Sequence, residues 1–123
     1  MMLLDTNIII YLTKDEAGVV DQIRQWRSEG HDFSFSVLSI VELFAQPEMT
    51  PDHKETIDLM IARFEVINLT PDIAYQAGRL RREHRMGLGD SIIAATALNS
   101  GFPVVTRNIN DFKKVKDLKV VKL

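Results

Sequence analysis

Short Val/Ile/Leu-rich runs alternate along this chain with longer stretches of helical spacing, and that alternation restricts the fold more than any other feature. The extended candidates are Met2–Leu4, Phe33–Ser36, Glu65–Leu69, Pro103–Thr106 and Lys119–Lys122. Between them, Val19, Val20, Ile23 and Trp26 make a helical apolar stripe that stops at Gly30. Ile57, Met60, Ile61 and Phe64 make a second stripe; Ile73, Ala77 and Leu80 make a third, opened by Thr70-Pro71-Asp72. The run Ile92–Leu98 is apolar nearly all round and closes at Asn99-Ser100-Gly101, which predicts a buried helix. Strands separated by helices pair in parallel through right-handed crossovers. Unbroken apolar runs within the strands imply a sheet covered on both faces. The expected fold is α/β, a three-layer α/β/α sandwich around a mostly parallel sheet, in one domain spanning residues 1–123.

Composition narrows the chemistry. A chain of 123 residues is large enough for one domain but too small for two. It has no cysteine, which removes disulfides, thiol nucleophiles and cysteine-bound zinc, and fits a reducing, cytoplasmic setting. No apolar run reaches the ~18 residues of a membrane helix, and the opening Met1-Met2-Leu3-Leu4 is too short for a secretion signal. The net charge of −2, from 15 basic and 17 acidic residues, argues against a generic nucleic-acid binder. If four of the acids are pooled at one site, 13 remain against 15 basic groups, and the rest of the surface is mildly positive.

Four acids recur where the chain leaves an apolar run or opens a helix: Asp5, Glu42, Asp90 and Asp111. In an open α/β sheet those positions lie on one rim, at the carboxyl ends of the strands, where ligands bind. Taken singly, each has a structural explanation. Asp5 suits the cap of a short helix Ile8–Leu12, Ser39-x-x-Glu42 matches a capping box, Asp90 after Gly89 is a natural cap, and Asp111 sits in an Asn/Asp-rich turn. Taken together, they require something more. Two carboxylates ~4 Å apart repel by about 4 kcal/mol at an effective dielectric near 20. A hard divalent ion such as Mg²⁺ or Mn²⁺ offsets that repulsion and prefers these oxygen ligands.

The stretch Gly87-Leu-Gly-Asp90-Ser-Ile-Ile-Ala-Ala-Thr-Ala-Leu, followed by Val104-Val-Thr-Arg-Asn-Ile-Asn-Asp111-Phe112, resembles the carboxy-terminal half of PIN-domain proteins. The likeness is greatest to the VapC-type toxin ribonucleases. Leu3-Leu4-Asp5-Thr6-Asn7 is similar to the family's opening, and Phe35–Leu43 to its second motif. The resemblance covers essentially the whole chain. It implies a PIN-like fold and a Mg²⁺- or Mn²⁺-dependent endoribonuclease acting on RNA, restrained by a small VapB-like antitoxin and usually dimeric. Carried over, Asp5, Glu42 and Asp90 become the acidic metal site, Thr6 and Thr106 orient carboxylates or water, and Ser39 supports Glu42. The family's fourth acid falls on the Thr106–Asp111 segment. The earlier position there is the neutral Asn108, so either Asp111 supplies the carboxylate or Asn108 holds a coordinated water.

Other features bear on substrate and partner. Arg79, Arg81, Arg82 and Arg85 precede Asp90 on two faces of one helix and form either a phosphate track or a solvated surface. The stripe Ile57/Met60/Ile61/Phe64 is either core or, with Ile8–Leu12, the edge of a groove that receives an amphipathic partner segment. Trp26 reads as core, and His31, His53 and His84 have no ligand spacing with any acid. A phosphatase of related topology would need Asp-x-Asp, and the second position is Asn7. A catalytically silent scaffold of the same fold is the remaining alternative, opposed by the presence of Asp5, Glu42 and Asp90.

Overall fold

Strand β1 (Met2–Leu4) occupies the middle of a five-stranded, fully parallel sheet in the computed structural model, which describes residues 1–123. The other strands are β2 (Phe33–Ser36), β3 (Glu65–Ile67), β4 (Val104–Thr106) and β5 (Val120–Lys122), in the spatial order β3-β2-β1-β4-β5. The chain therefore builds outward from β1 on one side and returns to build outward on the other. The carboxyl ends of β1 and β4 flank the point where strand order reverses, the usual crevice of such sheets.

Side chains alternate along each strand, and the two faces have separate cores. Leu3 and Val104 point to one face, where they pack against α5 (Pro71–His84), α6 (Leu88–Ser100) and the short α7 (Ile109–Phe112). Met2, Leu4, Phe33, Phe35 and Val105 point to the other, against α1 (Thr6–Thr13), α2 (Ala17–Ser28) and α4 (Pro51–Arg63). Helix α3 (Val37–Phe44) starts at the end of β2 and contributes Leu43 to this second core. The result is the three-layer α/β/α sandwich expected from the sequence. Along α6 every residue from Ser91 to Ala97 is buried, and Gly101 ends the helix at φ 74°, a left-handed conformation that suits glycine.

Several local expectations shift. The third strand stops at Ile67, and Leu69, expected within it, is 44% exposed. The first helix runs Thr6–Thr13 rather than Ile8–Leu12. Trp26 and Val20 are half-buried at the edge of the second core, whereas Val19 and Ile23 are fully inside it.

No helix is long and apolar enough to cross a membrane. Ile93, 1% exposed at the centre of α6, reports on the first core. Ile93→Ala should lower unfolding stability by about 2–5 kcal/mol, through lost burial plus the cavity left behind. Urea denaturation should show this as a lower midpoint with an unchanged slope.

Candidate functional site

Strand parity brings the first acid to the rim. Asp5 follows Leu3 at a two-residue interval, so it faces the α6 side, and at 4% exposure it is nearly as buried as the strand itself. It stands at the N-cap position of α1 without making the usual side-chain cap, and only the adjoining Thr6 backbone N–H eases its charge from that helix. Its Oδ2 instead accepts a 2.9 Å hydrogen bond from the Thr106 hydroxyl at the end of β4. Thr106 Oγ in turn accepts the backbone N–H of Asn108 at 2.9 Å.

A second relay aims Glu42. Thr6 Oγ donates to Glu42 Oε1 at 2.7 Å and lies 2.7 Å from Ser39 Oγ. A hydroxyl has one proton to give. With the Thr6 proton on Glu42, Ser39 is the donor to Thr6, and the order is Ser39 to Thr6 to Glu42. The capping-box reading of Ser39 and Glu42 is therefore corrected. The cap of α3 is Ser36, whose hydroxyl accepts the Leu38 N–H at 3.1 Å, leaving Ser39 inside the helix and Glu42 in its second turn. Both threonines perform the same operation: each takes a donor behind it and turns its own proton onto a carboxylate.

The remaining two acids come from the α6 side. The cap position of α6 is Gly87, not Asp90, which lies in the first turn. Asp111 is in the first turn of α7, a short helix where a turn was expected. Gly89 lies against Glu42: a Cβ built there would meet Glu42 Oε2 at 3.4 Å, an ordinary contact. Sequence reasoning did not single out Gly89, although its place beside Asp90 was the available signal.

The electrostatics show that these acids sense one another. Burial pushes the Asp5 carboxyl up from 3.8 to about 6; the charges of Asp90 and Glu42 add to the rise and the Thr106 hydroxyl opposes it. Burial also raises Asp90, as do the charges of Asp111 and Glu42, while Lys114 pulls it down. The four acids thus share one rim, yet no three of them close into a ready-made ligand cage. The donor set is all oxygen, with neither cysteine nor histidine among it. That fits Mg²⁺ or Mn²⁺, since magnesium keeps several waters and uses one or two carboxylates rather than a full protein cage.

The sequence pattern of the PIN domain family matches residues 2–118. The chain belongs to the PIN domain family. Ribonuclease VapC10 of Mycobacterium tuberculosis is 32% identical to it over 124 residues, covering 97% of this chain and 91% of that protein. The tRNA(fMet)-specific endonuclease VapC of Salmonella typhimurium is 25% identical over 127 residues, covering 96% and 94%. A toxin–antitoxin complex from Klebsiella pneumoniae contains a chain of TM-score 0.83 and 26% identity, with both chains fully covered. VapBC2 from Rickettsia felis, bound to a DNA fragment from its promoter, shares the fold at TM-score 0.84 and 21% identity, covering 99% and 98%.

Elsewhere on this PIN-domain chain, the arginines of α5 stand in different settings. Arg79 lines a small recess with Asp72, Tyr75 and Gln76. Arg81 donates Nε to the Met86 carbonyl, Arg82 is exposed in the last turn of α5, and Arg85 ends the helix at φ 55°. The expected groove exists, with Leu12 at the end of α1 in its wall as expected and α2 supplying the rest of that wall. About 440 Å³ lies between Leu12, Val20 and Ile23 on one side and Leu59, Met60 and Phe64 on the other. Ile57 is core at 0% exposure, whereas Leu59 is 56% exposed. Another hollow, about 540 Å³ between Thr13 and the start of α4, is lined by no hydrophobic residue and includes none of the four acids.

The Asp5 shift has a signed consequence for divalent-free protein. A carboxyl raised on folding contributes stability below its unfolded value near 3.8 and loses it as pH rises through about 6. A shift of roughly two units corresponds to about 3 kcal/mol. Asp5→Asn should therefore gain on wild type between pH 4 and pH 7, and be the more stable of the two at pH 7. Urea midpoints at both pH values check this, and a gap independent of pH would refute it.

Proposed function

We propose that this chain is a Mg²⁺- or Mn²⁺-dependent endoribonuclease that serves as the toxin of a toxin–antitoxin pair in the cytoplasm. The observation that carries this reading is the pair of threonine hydroxyls that hold Asp5 and Glu42 on one rim, where the charges of Glu42 and Asp90 raise Asp5 and those of Asp111 and Glu42 raise Asp90. The names borne by the VapC relatives supply the reaction class.

Asp5 and Asp90 are the residues that would hold the ion, with Asp111 and Asn108 beside them on the β4–α7 segment. When bound, such an ion polarises a phosphoryl oxygen and makes water more acidic. Glu42 is the general base. The Thr6 proton occupies its Oε1, and Oε2 accepts a proton from the attacking water. Thr106 keeps Asp5 turned toward the crevice, and the backbone N–H of Asn108 keeps Thr106 in place. In-line attack of water on phosphorus breaks the bond to the 3′ oxygen, which takes a proton from solvent, leaving a 5′-phosphate and a 3′-hydroxyl. The ribose 2′-hydroxyl takes no part.

The partner reading rests on the groove between α2 and α4. Its apolar floor suits one face of an amphipathic antitoxin segment, and Arg24, Arg27 and Arg63 on its margin suit acidic residues beside that face. A second copy of the chain is expected to cover Val41, Phe44 and Leu88, which are exposed and flank Glu42 and Asp90 in sequence.

Single-stranded RNA incubated with the protein and Mn²⁺ should give fragments with 5′-phosphate ends. EDTA or Asp5→Asn should slow cleavage at least about a hundredfold, roughly 3 kcal/mol of barrier. Fragments ending in a 2′,3′-cyclic phosphate would refute the mechanism, and absence of cleavage at every metal tested would favour the silent scaffold.

The groove has its own test. Leu59→Glu should leave folding and RNA cleavage intact while weakening binding of the co-encoded antitoxin at least tenfold by calorimetry. Unchanged affinity would exclude this groove as the docking surface.

A further inference from the structure

A second recess opens beside the acids, on the β5 side. It encloses about 410 Å³ and is lined by Arg107, Asn108, Ile109, Asn110, Asp111 and Lys122. Its placement follows from strand register. Thr106 pairs with Lys122 across β4 and β5, so their side chains share one face of the sheet, the face to which Asp5 also points. Asp111 lines the recess and also raises Asp90, so recess and acid rim are continuous.

The lining chemistry is that of a nucleotide receptor. Two cations suit a phosphate, and the Asn110 side-chain amide offers donors and an acceptor to a base edge. Arg107 is held in advance. It donates Nη1 and Nη2 to the two carboxylate oxygens of Glu16, and its guanidinium stacks 4.6 Å from the Tyr11 ring centroid. A guanidinium has five N–H donors, so three remain for a ligand. Lys122 has no ion-pair partner and makes no side-chain hydrogen bond, so its charge is unspent. Arg107–Glu16 is also the only ion pair joining distant parts of the chain, the other two lying within single helices.

We propose that this recess is an RNA subsite adjoining the scissile position, taking a backbone phosphate on Arg107 and Lys122 and reading a neighbouring base with Asn110. It rests on the ribonuclease reading and adds where the strand runs and where its sequence is sensed. The arginines of α5 are not needed for this path.

The experiment uses the full chain carrying Asp90→Asn, with fluorescein-labelled single-stranded RNA in EDTA, followed by anisotropy over a range of salt. Adding Lys122→Ala should weaken binding about three- to tenfold and reduce the slope of log affinity against log salt by about 0.7, as for one phosphate contact on a single strand. Lys54→Ala, which removes an exposed charge paired with Asp58 on α4, is the control and should change neither. In otherwise wild-type protein, Asn110→Ala should relax the base preference at one position flanking the cut, seen by sequencing fragment ends. If Lys122→Ala leaves affinity and slope unchanged while the parent binds RNA and wild type cleaves it, the subsite is overturned and the ribonuclease reading stands. Weakened antitoxin binding with unchanged RNA binding would assign the recess to protein and also overturn it. If the parent does not bind RNA and wild type does not cleave it, both fail.

Discussion

The structure turns on a carboxylate kept under tension. Asp5 extends the central strand into a site almost sealed from water, faces two other negative groups, and is held by the Thr106 hydroxyl at the end of the neighbouring strand and eased by the Thr6 backbone N–H. Everything nearby works on that arrangement. The reversal of strand order between β1 and β4 opens the crevice, and parallel register sets Thr106 opposite Asp5. The relay from Ser39 through Thr6 applies the same device to Glu42. No buried side-chain polar atom is left without a partner, so the site's discomfort is one of like charge rather than of unmade hydrogen bonds.

Two cores make that tolerable. The sheet is packed on both faces, and α6 is buried along seven consecutive residues, so the scaffold is stiff where the acids emerge. Functional sites of this kind are locally unfavourable and depend on stability generated elsewhere. Here the division is spatial: apolar packing fills the body of the sandwich, and the charge is confined to one rim.

Much of this was legible in the sequence, for identifiable reasons. The strands and helices follow from hydrophobic period, and the acids were found because the carboxyl ends of parallel strands converge whatever the side chains do. The caps were misread because Ser39-x-x-Glu42 fits a capping box as well as Ser36 fits a plain cap. Only the tertiary position of Thr6 decides between them. The Arg107–Glu16 pair, separated by 91 positions, leaves no periodic or local trace. The share of α2 in the groove was missed because a stripe on α4 shows which residues are apolar, not every helix that lies opposite. How far the four acids close on a common point depends on side-chain torsions, which no spacing rule encodes.

Gly89 carries an implication for how this chain can change over time. Glycine in a helix is less favourable than alanine by about 1 kcal/mol, so a screen for thermal tolerance would reward a methyl at this position. The methyl would not clash, because at 3.4 Å it would rest in ordinary contact with Glu42 Oε2. It would add a contact on one side of that oxygen, so a gain in helix stability at this position would be felt directly at the acid rim.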